Sequence, residues 1–137
     1  RQKLNAMSAE FKNKNVLIVD DSIVRGTTSK EIVQMAKDAG ANKVFFTSAA
    51  PPVRYPHVYG INMPNRDELI AHDRTISEIA DHLEIDNLVY QSVESLRKSI
   101  IGDSPIQDLE MSCFTGSYVT GTVNQEYLNW VESEYKS

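Results

Sequence analysis

The sequence predicts an α/β domain built on a parallel sheet, with helices completing its C-terminal part. Three observations carry that reading. Val16 to Val19 is a four-residue apolar run with three β-branched members, the pattern of a strand covered on both faces. A segment of helical period follows it, and Lys43 to Ser48 then reads as a second strand. Strand, helix and strand within about 35 residues make a βαβ unit with a right-handed crossover.

The elements follow in order. Residues 1 to 14 are polar and read as helix or coil. After the first strand, Thr28 and Glu31 have capping-box spacing. Ile32, Met35, Ala36 and Ala39 then form one apolar face, and Gly40 is a natural stop. Ala49 to Pro56 holds three prolines and excludes regular helix. Val58 to Ile61 reads as a short strand and Asp67 to Ala71 as a helical turn or two. Thr75 to Leu83 reads as a helix with Ile76, Ile79, Ala80 and Leu83 on one side. Leu88 to Tyr90 is a small strand, and Val93 to Ile101 a helix ended by Gly102. Residues 103 to 122 are punctuated by Gly and Ser. Val123 to Tyr135 is a final amphipathic helix, with Tyr127, Leu128, Val131 and Trp130 turned inward. Two strong strands are few for a complete doubly wound domain, so a missing N-terminal part is expected.

Composition bounds the function. The 137 residues suit one domain. A net charge of −5, with no run of five like charges, argues against nucleic-acid and membrane-surface partners. No stretch approaches the roughly 20 apolar residues of a membrane helix. Arg1 to Phe11 lacks the apolar centre of a signal peptide, so a cytoplasmic location is expected. Cys113 is the single cysteine, which rules out an internal disulfide framework. The chain begins at Arg1 rather than Met; the expectation is a processed chain or a piece of a longer one.

The loop after the first strand carries the chemistry. Open α/β sheets bind ligands beyond the carboxyl ends of their strands. There stand Asp20, Asp21, Ser22, Ile23, Val24, Arg25, Gly26, Thr27 and Thr28, leading into a helix N-terminus. Free N–H groups and the helix dipole favour an anion. Gly26 lets the backbone come close, and the hydroxyls of Ser22, Thr27, Thr28 and Ser29 can add hydrogen bonds. Two carboxylates are wrong for a phosphate but right for sugar hydroxyls and for Mg²⁺, a hard cation that takes oxygen ligands. A phosphate cradle beside such a pair describes a sugar phosphate. Taken piecewise, Asp-Asp is also turn chemistry and Thr28 a helix cap.

Taken whole, Val16 to Ser29 resembles the signature of type I phosphoribosyltransferases. Further blocks narrow the likeness: Lys3-Leu4-Asn5, Ser48-Ala49-Ala50-Pro51, Tyr59-Gly60-Ile61-Asn62-Met63-Pro64, Glu68-Leu69-Ile70-Ala71 and Cys113-Phe114-Thr115-Gly116. Together they resemble the C-terminal part of the amidophosphoribosyltransferase family, the glutamine-dependent enzymes that open de novo purine synthesis. The likeness fades in the last ten residues.

That resemblance implies a partial phosphoribosyltransferase-type fold over residues 1–102. Residues 103–137 would be a C-terminal extension packed on the same domain. It implies that Asp20 and Asp21 hold the ribose hydroxyls and Mg²⁺ of phosphoribosyl pyrophosphate, and that Ser22 to Thr28 wrap its 5′-phosphate. Ammonia from glutamine attacks the anomeric carbon, pyrophosphate leaves, and 5-phosphoribosylamine forms. Purine nucleotides are implied as inhibitors at the same loop, and a homo-oligomer as the full-length state. An oxocarbenium-like transition state suits anionic groups near the ribose, and Mg²⁺ would neutralise the departing pyrophosphate.

The chain also departs from the family pattern. The glutaminase nucleophile is an N-terminal cysteine, whereas position 1 is Arg1. Cys113 cannot replace it and reads as a buried structural thiol. The pyrophosphate loop and lid lie upstream of the Asp-Asp loop in the family, so the chain reads as a fragment inactive on its own. Some members carry an iron–sulfur cluster. Here one of its cysteines would match Cys113, but the others fall at Glu110 and near His57, so no iron–sulfur cluster is expected.

Other residues keep open readings. His57, His72 and His82 lack metal spacing and read as surface or packing groups. Arg25 either touches phosphate or faces solvent. Arg54, Tyr55 and Arg66 face either the base and inhibitor side or open solvent. Trp130 reads as core or interface. Two rival functions share part of this pattern. A response-regulator receiver domain also begins with Asp-Asp-Ser after a strand. It needs an acceptor aspartate ending a later strand, where this chain has Thr47-Ser48. A non-catalytic regulator sensing phosphoribosyl pyrophosphate with the same fold is the stronger alternative.

Overall fold

The computed structural model describes residues 8–61 and 65–135. Its elements are α1 (Ser8–Phe11), β1 (Asn15–Asp20), α2 (Thr27–Asp38), β2 (Lys43–Ser48), a 3-10 turn (Arg66–Glu68), α3 (Ile76–Leu83), β3 (Asn87–Tyr90), α4 (Val93–Ile101), α5 (Ser112–Thr115) and α6 (Gln125–Tyr135). The three strands form one parallel sheet in the order β1-β2-β3. The expected βαβ crossover is therefore present, and Lys43 to Ser48 is the middle strand. Of the polar block at residues 1 to 14, residues 8–14 are described and contain α1; the rest lies outside the described residues.

Alternation along the strands builds the core. Val44, Phe46 and Ser48 of β2 are buried on one face. Val16 and Ile18 pair with Val44 and Phe46, and Phe46 with Leu88. Val33 and Ala36 of α2, with Ile79 and Leu83 of α3, pack on that face. Burying each large aliphatic group there contributes about 1.5–3 kcal/mol.

The opposite face differs from expectation. The apolar run of β1 suggested cover on both sides, yet Leu17 is 62% and Val19 69% exposed. Val89, in line with Val19 through Thr47, is 57% exposed. No described helix covers that face, so the residues that read as buried stand bare.

Several local expectations are corrected. Thr28 is no cap: α2 begins at Thr27 behind Gly26, whose φ of 79° is left-handed. Ser29, Val33 and Ala36 are the innermost residues of α2, with the expected Ile32 and Met35 half-buried. Gly40 does follow the helix end, at φ 90°. Residues 58–61 form no strand, because Tyr59 N–H turns back to His57 Nδ1 at 3.3 Å. The turn at Asp67 is a single 3-10 turn, since Leu69 is extended.

α3 starts at a capping box in which Thr75 and Glu78 bond each other's backbone N–H at 3.2 and 2.7 Å. Of its expected inward residues, Ile79 and Leu83 are buried and Ile76 is exposed. Among the residues of α6 whose burial is described, only Leu128 is buried. Tyr127 and Trp130 are 40% and 57% exposed and lie against each other, ring centroids 5.8 Å apart. Arg66 bonds Glu132 and Asn129 of the same helix, while the Tyr127–Trp130 side faces outward.

Candidate functional site

β1 delivers Asp20 to the carboxyl end of the sheet, and the chain then loops into α2. Asp20, Asp21, Ser22, Val24, Arg25, Gly26, Thr27 and Thr28 line one cavity of about 350 Å³, together with Ser29. Eight of the nine sequence-predicted site residues thus surround one space. Ile23 does not: it is 1% exposed and belongs to the core, pinning the loop from beneath.

The loop is held by short-range bonds. Asp20 Oδ1 accepts from Asp21 N–H at 2.9 Å, and Ser22 Oγ donates to Asp21 Oδ1 at 3.1 Å. Ala49 and Ala50 donate their N–H groups to the carbonyls of Asp20 and Asp21, both at 2.9 Å. The carboxylates are therefore fixed through their backbones, which leaves each side chain with oxygen for a ligand. Hard oxygen donors of this kind suit Mg²⁺, which binds through one or two carboxylates plus substrate oxygens. Among the described residues there is no cluster of three or more metal-ligating side chains. Two carboxylates without a third described ligand are too few for an all-protein cation cage.

The N-terminus of α2 has no side-chain cap. Its first N–H groups have no intrahelical partners, and with the dipole they offer an anion site at the cavity wall. Gly26 makes this approach possible. Its φ is left-handed, and an added Cβ would overlap the Cδ1 of Ile70.

Arg25 Nε donates to Glu68 Oε2 at 2.8 Å. That bond holds the Glu68 carboxyl below its ordinary range. Ile70 N–H donates to Val24 carbonyl at 2.9 Å. Glu68 and Ile70 thus support the loop from more than 40 residues away, a link with no local sequence signal.

Several of the residues with open readings have definite contacts. Arg54 Nη1 donates to the carbonyls of Ala71 and Arg74 at 2.6 and 2.9 Å, and His72 Nδ1 donates to Arg54 carbonyl at 3.2 Å. Arg54 is a backbone clamp. Tyr55 lies against Gly116, and its N–H, like that of Arg54, donates to Cys113 carbonyl. Arg66 is bound to α6. His57 has an 8% exposed side chain; its Nδ1 accepts from Tyr59, leaving the proton on Nε2 to donate to Glu110 at 3.0 Å. Cys113 is half-buried, and burial, then the Glu110 charge, pushes its thiol up. A raised thiol is a poor nucleophile.

No family model matches the chain. Individual proteins do. The amidophosphoribosyltransferase of Haemophilus influenzae is 54% identical over 135 residues, which is 98% of this chain and 27% of that protein. Those of Escherichia coli and Saccharomyces cerevisiae are each 52% identical, over 97% and 100% of this chain. The chain is homologous to a segment of the amidophosphoribosyltransferases. It spans about a quarter of the length of these relatives. The fold agrees: glutamine phosphoribosylpyrophosphate amidotransferase from B. subtilis, solved with ADP and GMP, superposes with a TM-score of 0.74 at 39% identity, over 82% of this chain and 25% of that one. Of the sequence blocks that carry the likeness, Lys3-Leu4-Asn5 and Asn62-Met63-Pro64 lie outside the described residues.

Proposed function

We propose that this segment is the ribose- and phosphate-holding part of an amidophosphoribosyltransferase, which makes 5-phosphoribosylamine from phosphoribosyl pyrophosphate and glutamine-derived ammonia. The observation that carries the reading is the single cavity that joins the Asp20–Asp21 pair to the uncapped start of α2. Asp20 and Asp21 hold the ribose hydroxyls. The N–H groups from Gly26 onward and the hydroxyls of Ser22, Thr27 and Thr28 hold the 5′-phosphate. Fixing both ends of the sugar presents its anomeric carbon to the attacking nitrogen, and such positioning is a large part of a substitution's acceleration. Mg²⁺, when bound at the two aspartates, supplies positive charge to the departing pyrophosphate.

Purine nucleotides occupy the same cradle; the ADP and GMP bound by the B. subtilis amidotransferase support nucleotide binding. The whole enzyme is read as a cytoplasmic homo-oligomer. Among the described residues no helix is long and apolar enough to cross a membrane. The cluster-free reading rests on the single cysteine and on the His57–Glu110 bond at positions where cluster cysteines would be sought. The bare sheet face of Leu17, Val19 and Val89 supports the fragment reading: it is where further polypeptide of the same enzyme would pack. Residues 103–137 are read as an extension of the same unit, which the bonds of Tyr118 Oη to Pro56 carbonyl, 2.7 Å, and of Arg66 to Glu132 support.

The test is calorimetric titration of phosphoribosyl pyrophosphate, with and without Mg²⁺, into a polypeptide of full family length carrying this segment. Mg²⁺-dependent binding without ammonia-dependent turnover favours the sensing regulator. Binding with turnover supports the enzyme. The segment alone is expected to give no turnover.

A further inference from the structure

We infer that Arg66 and Glu132 are positioning residues for the phosphate loop, linking the C-terminal helix to it through the 3-10 turn; this rests on the reading that the loop holds phosphate. Neither residue lines the loop cavity. Arg66 Nε donates to Glu132 Oε1 at 2.6 Å, and its Nη2 donates to Glu132 Oε2 at 2.9 Å and to Asn129 Oδ1 at 2.7 Å. The two side chains are only 20% and 16% exposed. A two-pronged guanidinium–carboxylate pair sheltered this well is directional and weakly screened.

Arg66 opens the 3-10 turn, and the next residues of the segment hold the loop. Glu68 bonds Arg25, and its other oxygen accepts from Asn65 N–H at 3.3 Å. Ile70 donates to Val24 and lies against Gly26. The turn between them is closed by Glu68 N–H to Asn65 carbonyl at 2.9 Å and Leu69 N–H to Arg66 carbonyl at 3.0 Å. A displacement of Arg66 therefore has little slack to take up before it reaches Glu68 and Ile70. The pair sets the height of the segment on which residues 24–26 rest.

The test uses a polypeptide of full family length with Arg66→Ala, Glu132→Gln or Arg66→Lys, and Arg97→Ala as a control that breaks an exposed ion pair with Asp108 away from the loop. Two readouts are taken: the Kd for ribose 5-phosphate, and amide hydrogen exchange of residues 22–28 without ligand. The first two variants should weaken binding about two- to thirtyfold and speed exchange in residues 22–28 while β2 stays protected. Arg66→Lys should recover part of both, and Arg97→Ala should change neither. Combining Arg66→Ala with Glu132→Gln should weaken binding no further than either alone. Unchanged exchange in the loop of Arg66→Ala or Glu132→Gln overturns the linkage, even if the melting temperature falls, because a mere anchor of α6 would behave so. Absence of ribose 5-phosphate binding by the unsubstituted protein overturns the phosphate reading instead, and the exchange data still judge the linkage. If Arg66→Ala does not fold, Glu132→Gln and Arg66→Lys decide alone.

Discussion

Ile70 occupies the space that any side chain at Gly26 would need: a Cβ there would overlap its Cδ1 and stand 3.3 Å from its Cγ1. Two independent demands meet at this glycine, a left-handed φ of 79° and a filled neighbour. Gly26→Ala should therefore destabilise by more than the about 1–2 kcal/mol of the left-handed conformation alone, measured by urea denaturation. Adding Ile70→Ala should remove the overlap but not the backbone cost. The double variant should then fall short of the summed single losses; strict additivity would show that the two residues do not meet.

Asp20→Asn and Asp21→Asn should each weaken Mg²⁺-dependent binding of phosphoribosyl pyrophosphate. Losing one charge-assisted contact costs about 1.5–3 kcal/mol, or roughly ten- to a hundredfold in Kd. Asparagine keeps the oxygen that accepts from Asp21 N–H or Ser22 Oγ, so the loop conformation should persist. Circular dichroism and melting temperature should stay near the unsubstituted values. A loss of folding equal to the loss of binding would assign the pair to turn chemistry.

The legible parts of the sequence were those set by local pattern. The short run Lys43–Ser48 read as a strand and is β2, and the position of Gly102 marked the end of α4. The aspartate pair and the small residues before α2 likewise fell on one cavity, because a strand-to-helix loop is continuous in sequence. What escaped depended on distance or on missing cover. Thr28 had the spacing of a cap, yet Gly26 took that place because the loop needs a left-handed residue pressed on Ile70. Leu17 and Val19 read as buried because hydrophobicity records what a strand can bury, not whether the covering element is present. The links made by Glu68 and Arg66 carried no signal, since their partners Arg25 and Glu132 lie 43 and 66 residues away.

Acid should loosen α6 in a defined window. The hydrogen bond from Arg66 holds the Glu132 carboxyl below its ordinary 4.5, outweighing desolvation. A lowered folded pKa gives stability that is fully present above the unfolded value and lost as pH falls through the folded one. The stability advantage of the unsubstituted protein over Glu132→Gln should thus be constant above about pH 5 and shrink below 4.5. Chemical denaturation of both proteins across that range checks it. An advantage that persists at pH 2 would mean Glu132 acts through packing rather than charge.

The two large apolar residues of α6 should behave in opposite ways. Leu128 is 7% exposed and Trp130 57% exposed. Leu128→Ala removes buried methyl groups and leaves a cavity, at a cost of about 2–5 kcal/mol. Trp130→Ala forfeits its contact with Tyr127, a pair worth about 0.5–1.5 kcal/mol at most in an exposed setting. Denaturant midpoints at equal slope give the comparison directly. A Trp130→Ala loss as large as that of Leu128→Ala would mean that its exposed face is covered in solution. Protein concentration then separates the sources of that cover, because a second copy makes the loss concentration-dependent and an intramolecular contact does not.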